Sequence, residues 1–142
     1  MKKGFNLIEL LISISIIALL TGIIVVGLAD ARKKGRDSSR IADINSVASA
    51  LANYYADKHA YPSGDYSAMT NVLTDSSEKY LGSVPQDPKN QSPYVYGYLL
   101  PTPGEYNLTA CLEKNGGSTG SGDATICNSG PYYRLINGEP SG

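Results

Sequence analysis

The sequence predicts an α+β fold: one long N-terminal α-helix, apolar in its first half and amphipathic in its second, packed on a small antiparallel β-sheet head. Three observations carry this. Residues Leu10 to Ala29 contain no charged side chain. Apolar residues then recur at spacings of three and four from Ile41 to Tyr55, and short β-favouring runs follow Pro85. At 142 residues the chain holds one modest head plus an extended element. With 12 Lys+Arg against 13 Asp+Glu, its total charge implies no basic nucleic-acid surface, and contact with nucleic acid stays open.

The first element is a short basic leader, residues 1–4, ahead of the apolar run. A secretory signal places its small-residue cleavage site after the apolar core. Here the order is reversed, because the plausible cut between Gly4 and Phe5 precedes the core, so the hydrophobic helix would survive processing. Residues 5–30 are then a membrane-spanning half-helix, since about 20 apolar residues cross a bilayer. Glu9 stands inside this segment. A carboxylate beside an apolar helix is costly in lipid unless it is paired or reaches the interface, which marks it as functional. The simpler alternative is an interfacial acid at a helix N-terminus.

Residues 31–57 form the amphipathic half, with Ile41, Ile44, Ala48, Leu51 and Tyr55 on one face and Asp43, Asn45, Ser46, Ser49, Asn53 and Asp57 elsewhere. A helix from Phe5 to about Asp57 would be about 80 Å long. Arg32, Lys33, Lys34 and Arg36 follow the span, so a positive-inside count puts the C-terminal side in the cytoplasm. That count opposes the orientation given by the leader, and the leader is the more specific signal. The basic cluster is read as contacting anionic headgroups, pairing with Asp30 and Asp37, or forming a solvated face.

Residues 58–142 form the head. Pro62 and Gly64 end the helix. His59 is the only histidine, which argues against histidine-based catalysis or metal binding within one subunit. Tyr66 to Leu81 reads as one or two short connecting helices. Tyr94 to Leu100, Tyr106 to Leu112 and Tyr132 to Ile136 read as strands, the first two joined at Pro101-Thr102-Pro103-Gly104. The 11 tyrosines read as core packing with hydroxyls reaching water. Cys111 and Cys127, placed outside the cytoplasm, read as a disulfide worth roughly 3 kcal/mol, with two separate buried thiols as the alternative. Gly116 to Asp123 between them reads as an exposed loop. Asn90-Gln91-Ser92 and Asn107-Leu108-Thr109 match the short N-glycosylation pattern, which carries little weight alone.

The opening Lys3-Gly4-Phe5-Asn6-Leu7-Ile8-Glu9-Leu10-Leu11 resembles the processing motif of type IV pilins and type II secretion pseudopilins. The resemblance implies that a prepilin peptidase cuts after Gly4 and that the new amine of Phe5 is methylated. It further implies that Glu9 pairs with that amine when subunits bundle their helices, a pairing that the leader would block. Asn6 stands where threonine is commoner. Val84-Pro85-Gln86-Asp87-Pro88 and Pro93-Tyr94-Val95-Tyr96 resemble a segment of major pseudopilins. Those proteins hold calcium in a C-terminal loop, but here only Asp123, with Glu113 at the edge, offers carboxylates, too few to assign a metal or cofactor.

The family implies a structural rather than enzymatic role: a homo-oligomeric helical filament, with an assembly platform and ATPase as partners. The precursor would lie in the inner membrane and the filament outside the cell. An extracellular type IV pilus is the leading reading, a type II secretion pseudopilus the second. A monomeric membrane-tethered binding module is the alternative of a different class, which would require neither Glu9 nor leader removal.

Overall fold

The computed structural model describes residues 6–75, 77–114, 127 and 130–140. Helix α1 runs Leu7–Lys58 and α2 Tyr66–Leu73, followed by strands β1 Tyr96–Thr102, β2 Glu105–Cys111, β3 Tyr132–Ile136 and β4 Glu139–Pro140. The chain divides into two compact units, Met1–Lys34 and Gly35–Gly142, whose boundary falls within α1.

In the first unit the helix starts on Asn6. Its carbonyl accepts the amide of Leu10 at 3.2 Å, and its side-chain Oδ1 accepts the amide of Ile8 at 3.3 Å. Asn6 therefore acts as an N-cap, a role that asparagine fills as well as serine or aspartate. Further along, the hydroxyls of Ser13, Ser15 and Thr21 donate to the carbonyls of Glu9, Leu11 and Ile17, each at 2.7 Å. These three hydroxyls are thus satisfied within the helix, as a lipid environment requires.

In the second unit, Ile44, Val47, Ala48 and Leu51 of α1 meet Met69 and Leu73 of α2, Leu81, and Tyr96, Tyr98, Tyr106, Leu108, Ala110 and Leu135 of the sheet. The buried stripe differs from the one predicted. Tyr55 is 38% exposed and Ile41 half-buried, whereas Val47, Arg40 and Asp37 are buried. Positions 37, 40, 44, 47 and 51 follow the helical period, and two charged residues among them hide the true face in the sequence. The helix ends at His59, whose backbone is left-handed (φ 54°) and whose amide bonds the Tyr55 carbonyl at 2.8 Å.

Among the described residues the connector holds one helix, α2, capped by Asp65, whose carboxylate accepts the Ala68 amide at 2.8 Å. Beyond it the amides of Tyr80 and Leu81 both donate to the Leu73 carbonyl. The sheet is antiparallel in the order β1-β2-β3-β4. Pro101 and Thr102 belong to β1, not to the turn, because the pairing slips between Leu99 and Thr102 in a β-bulge. Proline is admissible there on an edge strand. The two-residue β4 was not expected, although Asn137-Gly138, both with positive φ, is the preferred dipeptide of a tight hairpin.

The tyrosine hydroxyls are not simply turned to water. Tyr66 donates to the Pro85 carbonyl (3.1 Å), Tyr96 to Asp43 (2.6 Å) and Tyr98 to the Pro62 carbonyl (2.8 Å). Burial pushes the Tyr98 hydroxyl up to about 12. The Tyr96 and Tyr98 bonds tie α1 and the loop after it to β1, and the Tyr66 bond ties α2 to the loop at Pro85. Asn107, in the second glycosylation match, lies within β2, half-buried.

Candidate functional site

Two sets of residues stand out, one in each unit. The first is the uncovered apolar half of α1. Leu7, Ile17 and Leu19 are 73%, 62% and 71% exposed, and the most apolar window of the helix, long enough to cross a membrane, has no buried share. Burying one such side chain is worth about 1.5–3 kcal/mol, so this surface demands lipid or other helices. Glu9, also exposed, is its single carboxylate between Leu7 and Ala29 and stands in the first helical turn. Gly4 and Phe5, the expected cleavage site and methylated residue, lie outside the described residues, as does any pairing of Glu9 with the Phe5 amine.

The second set is a buried ionic node in the head. Arg40 has 0% exposure and sits between three carboxylates. Its Nε and Nη2 donate to the two oxygens of Asp87 at 2.5 and 3.0 Å, and Nη1 donates to Asp37 at 2.7 Å and Glu113 at 3.0 Å. Arg36 grips Glu113 in a two-pronged pair at 2.6 and 2.7 Å, and Lys89 reaches the same carboxylate at 2.9 Å. Arg40 and Lys89 also face the Tyr94 ring, at 4.7 and 4.2 Å from its centroid. Three cations thus meet three carboxylates, with Arg36 and Lys89 each 31% exposed at the edge, so the node is neutral overall, the condition under which burying Arg40 is tolerable.

These contacts set the protonation of the node. Hydrogen bonding from Arg36, reinforced by Lys89 and Arg40, holds Glu113 well below the usual carboxylate range against the opposing effect of burial. At Asp87 burial pushes upward, but the bonds from Arg40 and the Lys89 amide win and the carboxyl is held low. Burial disfavours the Arg40 charge, yet its bonds to Asp87, Glu113 and Asp37 raise its affinity for the proton. Glu113, Asp87 and Arg40 are therefore ionised at neutral pH.

The node is a clamp. Asp37 also accepts the amides of Glu113 and Lys114, at 2.9 and 3.0 Å, and Asp87 accepts that of Lys89 at 2.8 Å. The chain leaving β2 and the 85–90 loop are thereby fastened to α1. Beside the clamp, Cys111 and Cys127 are joined by a disulfide, with Cα atoms 5.4 Å apart. Cys111 lies opposite Tyr132 across β2 and β3. The bond thus fastens the chain between these strands at one end of the sheet.

Several expected residues find different neighbours. Arg36 pairs with Glu113 instead of with Asp30 or Asp37. Glu113, the candidate calcium carboxylate at the loop edge, is occupied by three cations. Asp123 and the Gly116–Asp123 stretch lie outside the described residues, and no group suited to a metal occurs among the described ones. Arg40 was missed, although its phase with Ile44 and Leu51 on the helix was the available signal.

A family model for type II secretion system protein G matches residues 28–129. The chain is 27% identical over 114 residues to the type II secretion system core protein G of Escherichia coli K12, covering 74% of this chain and 75% of that protein. It is 30% identical over 96 residues to the type IV wide pilus major component of Thermus thermophilus, covering 68% and 73%. A fimbrial protein of Neisseria meningitidis is 33% identical over 84 residues, covering 59% of this chain and 49% of that protein. No solved structure matches significantly.

Proposed function

The chain belongs to the family of type II secretion system protein G, and from that premise we propose that it is a structural subunit that polymerises through the first half of α1. The observation that carries this reading is the uncovered apolar helix with its single carboxylate, Glu9. In the precursor, lipid covers that surface. In a filament, the helices of other subunits replace the lipid, and Glu9 then requires a cation, which the Phe5 amine supplies once a prepilin peptidase has removed residues 1–4 and the amine has been methylated. An assembly platform and its ATPase drive the transfer out of the inner membrane. No step requires catalysis by this chain.

The product is an extracellular type IV pilus in this reading. The likeness to the Thermus pilus component supports it, as does the disulfide, which suits an oxidising exterior. The protein G match favours a second reading, a short periplasmic pseudopilus serving type II secretion. Replacing Glu9 with Ala in the native host tests the shared step. Normal leader cleavage with loss of sheared filaments is the expected result; undiminished filaments would overturn the Glu9–Phe5 pairing. Wild-type surface filaments favour the pilus, whereas a secretion defect in the deletion strain favours the pseudopilus.

A further inference from the structure

Arg32, Lys33 and Lys34 are all exposed on α1, just beyond the uncharged stretch Leu10–Ala29. None of their side chains makes an ion pair or hydrogen bond among the described residues, whereas Arg36, Arg40, Lys58 and Lys89 each pair with a carboxylate. We propose that Arg32, Lys33 and Lys34 form a collar that binds anionic phospholipid headgroups of the leaflet on the head side of the membrane. The collar would fix the depth of α1 before assembly. The proposal rests on the membrane-anchored precursor described above.

The arrangement favours a lipid surface over a protein partner. Three consecutive helical residues fan across roughly 200° of the circumference within about 3 Å of axial rise. A docking face for a protein would instead gather its contacts at spacings of three and four along one side. A bilayer surface surrounds a helix at a single height, and that is the geometry these side chains match. Arg32 lies only about 4.5 Å along the axis from Ala29, the last residue of the uncharged run. Long basic side chains at that depth carry their charges to the phosphates while their methylenes remain against acyl chains. Asp30 is the nearby acid and offsets one of the three charges, leaving the segment 30–34 at a net charge of +2.

The collar also accounts for the charge asymmetry that conflicts with the leader. Positive residues beyond the span oppose the usual orientation bias. A role in holding anionic lipid gives them a use on that side, and the contact is surrendered when the subunit leaves the bilayer.

The test uses the full chain in nanodiscs of mixed phosphatidylcholine and phosphatidylglycerol, with the lipids retained on the released protein identified by native mass spectrometry. A basic side chain at an anionic surface is worth roughly a fivefold preference. Wild type should therefore retain phosphatidylglycerol at least about fivefold over its bulk share. Arg32→Gln/Lys33→Gln/Lys34→Gln should lose most of that enrichment, while the charge-conserving Arg32→Lys/Lys33→Arg/Lys34→Arg and the leader variant Lys2→Gln/Lys3→Gln should keep it. Thermal unfolding of the head checks that each variant is folded. Equal enrichment in wild type and the neutral triple variant would overturn the collar. Unchanged enrichment combined with loss of filaments would also overturn it, making these residues subunit contacts. The lipid readout precedes assembly, so its failure is separable from a failure of the Glu9 test.

Discussion

A guanidinium without solvent exposure persists only when its neighbours replace the water it has lost, and Arg40 has Asp37, Asp87 and Glu113 for that purpose. Replacing Arg40 with Ala leaves Asp87, almost wholly buried, without its two-pronged partner. The expected cost at neutral pH is about 3–5 kcal/mol, measured by chemical denaturation of the full chain in detergent. The pH dependence supplies the sign. Asp87 and Glu113 have folded pKa values below their unfolded ones, so their contribution is present above an unfolded carboxylate pKa of about 4 and is lost as pH falls through the folded values. Wild type should therefore weaken on acidification while the variant, freed from carboxylate repulsion, weakens less. A difference between the two that does not shrink in acid would show that Arg40 acts through packing rather than charge. The sequence offered only the phase of Arg40 with Ile44 and Leu51, and a charged residue in phase with an apolar stripe reveals its role only when partners 47 and 73 positions away are known.

Local chemistry governs the elements, and there the sequence spoke more clearly. Both α1 halves, the connector and three strands follow from periodicity and from the breakers at Pro62 and Gly64. Strand ends followed less closely, since the bulge at Leu99–Thr102 draws Pro101 into β1, and a bulge is a property of the pairing rather than of one strand. The hairpin at Asn137-Gly138 was readable but hidden by its short partner strand. Helix α2 offers the cleanest test of local control. Its eight residues are too few for a stable isolated helix, so the Asp65 cap and the burial of Met69 and Leu73 must hold it. Asp65→Ala should cost about 1 kcal/mol, seen as a lower unfolding midpoint, with Asp65→Ser retaining most of the stability. Loss of equal size in both variants would mean that the aspartate charge, rather than the cap bond, matters.

At the scale of the whole molecule, the two units depend on different surroundings. Among the described residues, every apolar residue of the main core lies at or beyond Ile44 and the ionic node begins at Arg36, so the described interior of the head is built from the second unit. In the apolar half of α1, the described large side chains from Leu7 to Leu20 and Leu28 are exposed. A fragment of residues 35–142 should therefore be monomeric in water and retain a cooperative transition within about 5 °C of the full chain in detergent. Its new end lies one residue before Arg36, where helices fray, but the Arg36–Glu113 and Arg40–Asp87 pairs fasten that turn to the head. The full chain without detergent should self-associate, because its exposed leucines and isoleucines have no other cover. Sedimentation and thermal unfolding of both forms check the claim. A fragment that fails to fold would make the first half of the helix part of the head's stability as well as its polymerisation surface. A soluble, stable fragment would confine residues 1–34 to anchoring and assembly, the division of labour on which the filament reading depends.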